Sequence, residues 1–226
     1  NRISMLKISD LILHKDNQLL ILNKPAGLSV QSDKTEDKSL QDLASIYCKF
    51  NVHAPHRLDR PTSGVVIFAK NKNALRFISE QFKDRKVKKT YIALVNKNPM
   101  PESDILVHWL RHDKKVNKTR VFDEEAPNAQ KAELHIEKIG ETDKYQVLKL
   151  KPLTGRTHQI RAQLAHVDLA IKGDVKYGFK RGERDRSIFL HAIEVEVEHP
   201  VSGELLTIKA PVPINNLWKI ADTFIK

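Results

Sequence analysis

The chain has 226 residues, 40% of them hydrophobic, enough for one large domain or two small ones. Thirty-nine Lys and Arg against 28 Asp and Glu give a net charge of +11, and nucleic acid is the commonest partner for so basic a surface. No apolar run reaches the roughly eighteen residues of a membrane span, and a single cysteine, Cys48, excludes an internal disulfide framework and a cysteine-rich zinc site.

In chain order, Leu19 to Leu22 read as a strand, and Ser39 is placed to cap a helix running to about Phe50. Cys48 falls inside that helical pattern and reads as a structural thiol suited to a reducing compartment. Ser63 to Ala69 is a strand rich in β-branched residues. Asn73 to Phe82 carries Leu75, Ile78 and Phe82 at helical spacing, and Thr90 to Val95 is again a strand. Residues 111–130 are polar and irregular and read as a solvated surface loop, with RNA contact as the second reading. Ala132, Leu134 and Ile136 alternate with polar residues, as do Tyr145 and Val147, which predicts an antiparallel pair around Gly140. Ile160 and Leu164 share a helix face. Phe189 to Val197 alternates as a long strand, Leu206 and Ile208 continue the pattern after a turn at Ser202-Gly203, and Leu217, Ile220 and Phe224 mark a closing helix. Strands without regular βα alternation predict an α+β fold on a mostly antiparallel, mixed sheet with flanking helices.

The chemistry concentrates at His56-Arg57-Leu58-Asp59-Arg60-Pro61-Thr62-Ser63-Gly64. A lone carboxylate sits among three basic residues, and nearby positive charge favours the ionised form of a carboxylate. That suits either a nucleophile or a structural ion pair, and spacing alone does not choose.

The same segment resembles the signature of the RluA-type RNA pseudouridine synthases, in which the Asp of His-Arg-Leu-Asp is catalytic. Leu22-Asn23-Lys24-Pro25-Ala26-Gly27-Leu28-Ser29-Val30 ahead of it resembles that family too, as does Leu153-Thr154-Gly155-Arg156-Thr157-His158-Gln159-Ile160-Arg161 after it. Lys89-Thr90-Tyr91-Ile92-Ala93-Leu94 is a weaker match, and His199-Pro200 with Ala210-Pro211 also fits. The matches keep family order across roughly residues 18 to 213. Pro61 stands where related sequences often carry a polar or acidic residue.

The resemblance implies one pseudouridine synthase domain over 1–226, a sheet with helices and loops around a central catalytic cleft, with no accessory N-terminal RNA-binding module visible. It implies isomerisation of uridine in ribosomal or transfer RNA, in a cytoplasmic monomer without cofactor. Asp59 is the expected catalytic residue, Arg161 its pairing partner, and Tyr91 the ring that stacks on the target base. A buried uracil must be flipped out, and Arg57 is the residue expected to fill the gap. Lys24, Lys70 and Arg156 are expected phosphate contacts, and Ile160 is a candidate for the pocket floor. Of the ten histidines, His56, His158 and His191 fall in or near the motifs and form no HxxxH or HxH pair with one another, and no cysteine or acidic cluster completes a site, so no metal site is expected. The rival readings are a non-catalytic RNA-binding protein that retains the fold and a metal-dependent nuclease, which would need a carboxylate cluster.

Overall fold

A computed structural model describes residues 6–32 and 37–225. In chain order its elements are β1 (Ile12–Lys15), β2 (Leu19–Lys24), α1 (Leu40–Cys48), β3 (Ser63–Ala69), α2 (Lys72–Lys83), β4 (Lys88–Asn96), β5 (Ser103–Asp113), β6 (Lys118–Phe122), β7 (Gln130–Glu141), β8 (Tyr145–Pro152), α3 (Gln159–His166), β9 (Leu190–Glu198), β10 (Leu205–Lys209) and α4 (Asn216–Asp222). The fold is α+β, with strands that pair antiparallel throughout the registers described below. The chain divides into two compact units, one of residues 1–88 with Ala192–Pro211 and one of Lys89–His191 with 212–226.

In the first unit β1 pairs with β2, β2 with β3, and β10 with β9, all antiparallel, and β3 neighbours β9. All seven residues of β3 are buried, as its run of β-branched and aromatic residues predicts. Leu19 and Ile21 of β2, Val65 and Ile67 of β3, and Val195 and Val197 of β9 form a core with Ala74 and Ile78 of α2. Gly64 is required where β3 meets β9: its φ is +118°, and a Cβ there would lie 2.2 Å from the Ala192 carbonyl oxygen. Both helices start on side-chain caps. Ser39 and Asp42 form a reciprocal capping box on α1, and Asn71 Oδ1 accepts the Ala74 N–H at 2.9 Å on α2.

In the second unit the strand order is β4-β8-β7-β5-β6. The expected pair around Gly140 is β7 and β8, with a register shift between Lys138 and Gly140. A Cβ at Gly140 would lie 2.4 Å from the Phe224 ring, so the glycine makes room for that ring just beyond α4. α3 packs on β5, β6 and β7, and its residues Gln159 to Leu164 are all buried.

Residues 111–130, expected as a loop, are loop at 114–117 and 123–129 and strand elsewhere. β5 runs to Asp113 and forms a hairpin with β6, in register from Trp109 opposite Phe122 to Asp113 opposite Lys118. Part of the polarity that reads as a loop, Lys118 and Arg120, belongs to a strand whose exposed side chains meet water while its backbone is satisfied across the ladder. The Arg111 guanidinium lies 5.0 Å from the Phe122 ring centroid, which gives one of these charges an apolar resting place.

Candidate active site

In the first unit, the loop that carries Asp59 is braced from below by Lys24. This residue ends β2 and has no exposed surface. Its ammonium donates to the carbonyls of Leu28 at 2.7 Å, Pro25 at 3.1 Å and Arg60 at 3.2 Å. All three donors of an ammonium are thereby matched with acceptors. Loss of water pulls the Lys24 amine down to about 7, with the Asp59 charge opposing the fall and the Arg60 charge adding to it. The expectation that Lys24 grips phosphate is therefore corrected. It is an interior cross-tie between the segment after β2 and the turn after Asp59, closed to a phosphate by its enclosure.

Arg60 ties the same two segments from the other direction. Its Nε donates to the Gly27 carbonyl at 2.9 Å, its Nη2 meets Asp37 at 2.9 Å, and its own carbonyl accepts the Gly27 N–H at 2.8 Å. The Thr62 N–H closes a turn onto the Asp59 carbonyl at 3.0 Å. On the other side of Asp59, Leu58 is buried and His56 is anchored. His56 Nε2 accepts the Ile67 N–H at 2.9 Å, and its ring stacks on Phe82 with centroids 4.6 Å apart. Asp59 thus sits, partly exposed, between two pinned flanks, while Arg57 beside it is exposed. Lys70 lies just past β3, half-buried, with its amine donating to the Asp16 carbonyl.

In the second unit Arg161 lies within α3 and is 5% exposed. Its Nε and Nη2 grip the carboxylate of Asp174 at 2.6 and 2.8 Å, and its guanidinium lies 5.0 Å from the Tyr177 ring centroid. The Tyr177 hydroxyl accepts the Thr119 N–H at 2.8 Å and shares a hydrogen bond with His158 Nδ1 at 2.8 Å. His158 adopts φ +54° immediately before α3. Gln159 Oε1 accepts from the Thr154 hydroxyl at 2.8 Å and from the Arg156 N–H at 3.0 Å, while its amide donates to the Glu133 carbonyl at 3.0 Å. Thr154, His158 and Gln159 therefore act as struts that set the start of α3. Arg156 is half-buried and donates from Nε to the Lys131 carbonyl at 3.2 Å, and Ile160 is buried. Tyr91 is a half-buried residue of β4, opposite Leu150 of β8 and flanked by buried Thr90 and Ile92. On the same strand Lys89 reaches the motif loop, since a Cβ at Gly155 would lie 3.6 Å from its amine, and burial lowers the pKa of that amine.

The structure thus gathers Asp59, Arg57, Lys24 and Lys70 into one unit and Tyr91, Arg156, Ile160 and Arg161 into the other. Asp174 and Tyr177, which hold Arg161, lie outside every motif. The one local cue is Gly173, whose φ of +87° puts a fixed bend before Asp174.

Among the described residues one group of metal-ligating side chains comes together, His108 of β5, Asp123 after β6 and His166 at the end of α3, with donor atoms within 4.8 Å of one another. None of its members belongs to the family motifs, and they lie far apart in the chain. Gln163 packs beside it. The Gln163 amide nitrogen donates to the Leu106 carbonyl at 3.2 Å and to the Ala132 carbonyl at 3.4 Å, and it lies 3.1 Å from His108 Nδ1. Nε2 is the atom that faces Asp123, at 3.8 Å, and His166 Nε2 meets the same carboxylate oxygen at 2.7 Å. Loss of water, aided by His166, lowers the His108 pKa. Within the trio the hydrogen bond is the one between His166 and Asp123, with His108 close by.

Residues 18–166 match the family described as RNA pseudouridylate synthase. The chain is 34% identical over 215 residues to the ribosomal large subunit pseudouridine synthase C of Buchnera aphidicola, covering 90% of this chain and 67% of the relative. It is 31% identical to the tRNA pseudouridine synthase C of Pectobacterium carotovorum, covering 88% of this chain and 58% of the relative. With the ribosomal large subunit pseudouridine synthase D of Borreliella burgdorferi it shares 32% identity, over 83% of this chain and 60% of the relative. The chain thus spans about three fifths to two thirds of the length of these relatives. The fold matches human RNA pseudouridylate synthase domain containing 1 with a TM-score of 0.79 at 23% identity, over 96% of this chain and 89% of that one. With human RNA pseudouridylate synthase domain containing 4 the TM-score is 0.76 at 25% identity, over 96% and 94%. With the Asp59 and Arg161 motifs intact inside a matching fold, the chain belongs to the RNA pseudouridylate synthase family, of the RluA type.

Proposed function

We propose that this chain converts specific uridines of ribosomal or transfer RNA to pseudouridine, with Asp59 as its catalytic residue. The reaction breaks the bond between N1 and the sugar C1′, turns the detached base, joins C5 to C1′, releases the C5 proton to water and leaves N1 to take up a proton in its place. Atoms and electrons balance within the substrate, so the reaction calls for no cofactor, redox partner or metal, and we propose that none is used. The carrying observation is the mounting of Asp59: a partly exposed carboxylate on a turn whose flanks are fixed by Lys24, Arg60 and His56. Prior fixing of a reacting group removes orientational freedom that the reaction would otherwise have to lose.

In this reading Arg161 serves the Asp59 carboxylate, a role that rests on the motif resemblance. Its guanidinium is held in one orientation by Asp174 and Tyr177, which suits such a duty. The Tyr91 ring stacks on the flipped base, and its hydroxyl moves the C5 proton. Arg57 fills the place of the extruded nucleotide, Arg156 and Lys70 meet phosphates, and Ile160 lines the pocket floor. The enzyme works as a cytoplasmic monomer; no helix among the described residues is long and apolar enough to cross a membrane.

The test is tritium release from RNA labelled at C5 of uridine, comparing the wild type with Asp59→Asn. The exchange keeps volume and removes charge and nucleophilicity. Turnover should fall far below a tenth of wild type, a barrier increase well over about 1.4 kcal/mol, with RNA affinity retained. Turnover within tenfold of wild type would overturn the assignment and favour an RNA-binding protein that retains the fold.

A further inference from the structure

A helix on a protein surface normally buries one face and offers polar side chains on the other. α1 buries Leu40 and Ala44, yet its last turn and the residues after it expose Ile46 (60%), Tyr47 (37%) and Phe50 (46%). Lys49, in the left-handed region at φ +63°, ends the helix and leads the chain into Phe50. Lysines surround the apolar patch. The Lys15 amine donates to the Tyr47 hydroxyl at 3.1 Å and lies 4.8 Å from that ring's centroid. The Lys70 amine lies 5.9 Å from the Phe50 centroid. Both ammonium charges also act on the Cys48 thiol between the two aromatic residues, which places them at the same end of the helix.

Exposed rings bordered by lysines have one natural occupant. The cores of protein–protein interfaces are depleted in lysine, because its ammonium is costly to desolvate. Single-stranded nucleic acid uses both parts: each base has a flat face to stack on a ring, and each phosphate has a charge for an amine. The patch is tied to the catalytic loop within its own unit. Val52 donates its N–H to the Ser45 hydroxyl at 3.1 Å and Ala54 donates to Gln41 Oε1 at 3.0 Å, so the segment from Phe50 toward Asp59 is fastened to α1. Even fully extended, the nine steps along the chain from Phe50 to Asp59 span no more than about 32 Å.

We propose that Tyr47 and Phe50 form a stacking platform for unpaired nucleotides that flank the target uridine, with Lys15 and Lys70 meeting the adjoining phosphates. The proposal rests on RNA being the substrate and adds where the RNA outside the pocket is held. Paired RNA hides its base faces, so the platform favours targets set in loops or beside single-stranded tails.

The experiment measures binding of a fluorescent uridine dodecamer and of a fully paired RNA duplex of equal length by anisotropy at two salt concentrations. The Tyr47→Ala, Phe50→Ala double variant should lose about tenfold or more in affinity for the dodecamer and less than about twofold for the duplex. Lys15→Gln should shallow the salt dependence by roughly one unit. Phe50→Leu, which keeps an apolar side chain but no ring, should lose affinity as Phe50→Ala does, and it carries the test if the double variant does not fold. Unchanged dodecamer affinity in the variants, or equal losses on both RNAs, would overturn the platform. Tritium release by the wild type is measured in parallel. Isomerisation without any patch-dependent affinity removes the platform alone, whereas patch-dependent binding without isomerisation removes the synthase reading alone.

Discussion

Arg161 and Asp174 meet as a two-pronged ion pair, Nε to Oδ2 at 2.6 Å and Nη2 to Oδ1 at 2.8 Å, with side chains only 5% and 2% exposed. Such a pair is strong in geometry and modest in net stability, because both charges gave up water to form it. Its value to a synthase lies in fixing the guanidinium in one plane.

Asp174→Ala leaves that guanidinium buried without this counter-charge. The expected loss of stability is about 3–5 kcal/mol, read from urea unfolding midpoints. A loss under about 1 kcal/mol would mean that water or another group reaches Arg161 readily.

Lys24 predicts a specific pH dependence. Its amine titrates at about 7 in the folded chain against 10.5 for an ordinary lysine. Between those values the unfolded chain binds the proton that the folded chain has released, so stability rises as pH climbs from about 7 toward 10. Below about 7 both states are protonated and the full cost of the buried charge is felt. The gain across the window should be on the order of a few kcal/mol, measured by urea unfolding at several pH values. Lys24→Met should flatten this slope. It should also destabilise the loop, since three buried carbonyls lose their donor at about 1–3 kcal/mol each. A slope unchanged by the substitution would assign the pH dependence to other groups.

Gly64→Ala should prevent stable folding of the first unit. The new Cβ would meet backbone, at 2.2 Å from the Ala192 oxygen and 2.5 Å from its nitrogen, and a strand cannot yield as a side chain does. Thermal unfolding should show a loss of several kcal/mol. Near-wild-type stability would show that β3 and β9 separate more easily than their close approach suggests.

Tyr91→Phe should bind RNA nearly as the wild type does, because the ring remains, and should turn over much more slowly if the hydroxyl carries the C5 proton. Tyr91→Ala should lose both affinity and turnover. Wild-type rates in Tyr91→Phe, measured by tritium release, would confine the residue to stacking.

The sequence by itself determined those parts of this protein that follow from local pattern. The unbroken apolar runs of β2 and β3, the period of α2, the cap at Ser39 and the order of the motifs were all legible, since each depends on neighbours in the chain. Membership of the family was legible for the same reason. What tertiary structure alone decided is where charge goes when the chain closes. Lys24 reads as a phosphate contact because lysines are seldom interior, and only the meeting of two loops supplies the three carbonyls that enclose it. Asp174 and Tyr177 carry no motif and become the grip on Arg161 through distant packing. The β5–β6 hairpin hid behind polar side chains because its backbone pairing, not burial of its surface, makes it a strand. Burial and pairing across long separations depend on which segments meet, and a one-dimensional pattern holds no record of that.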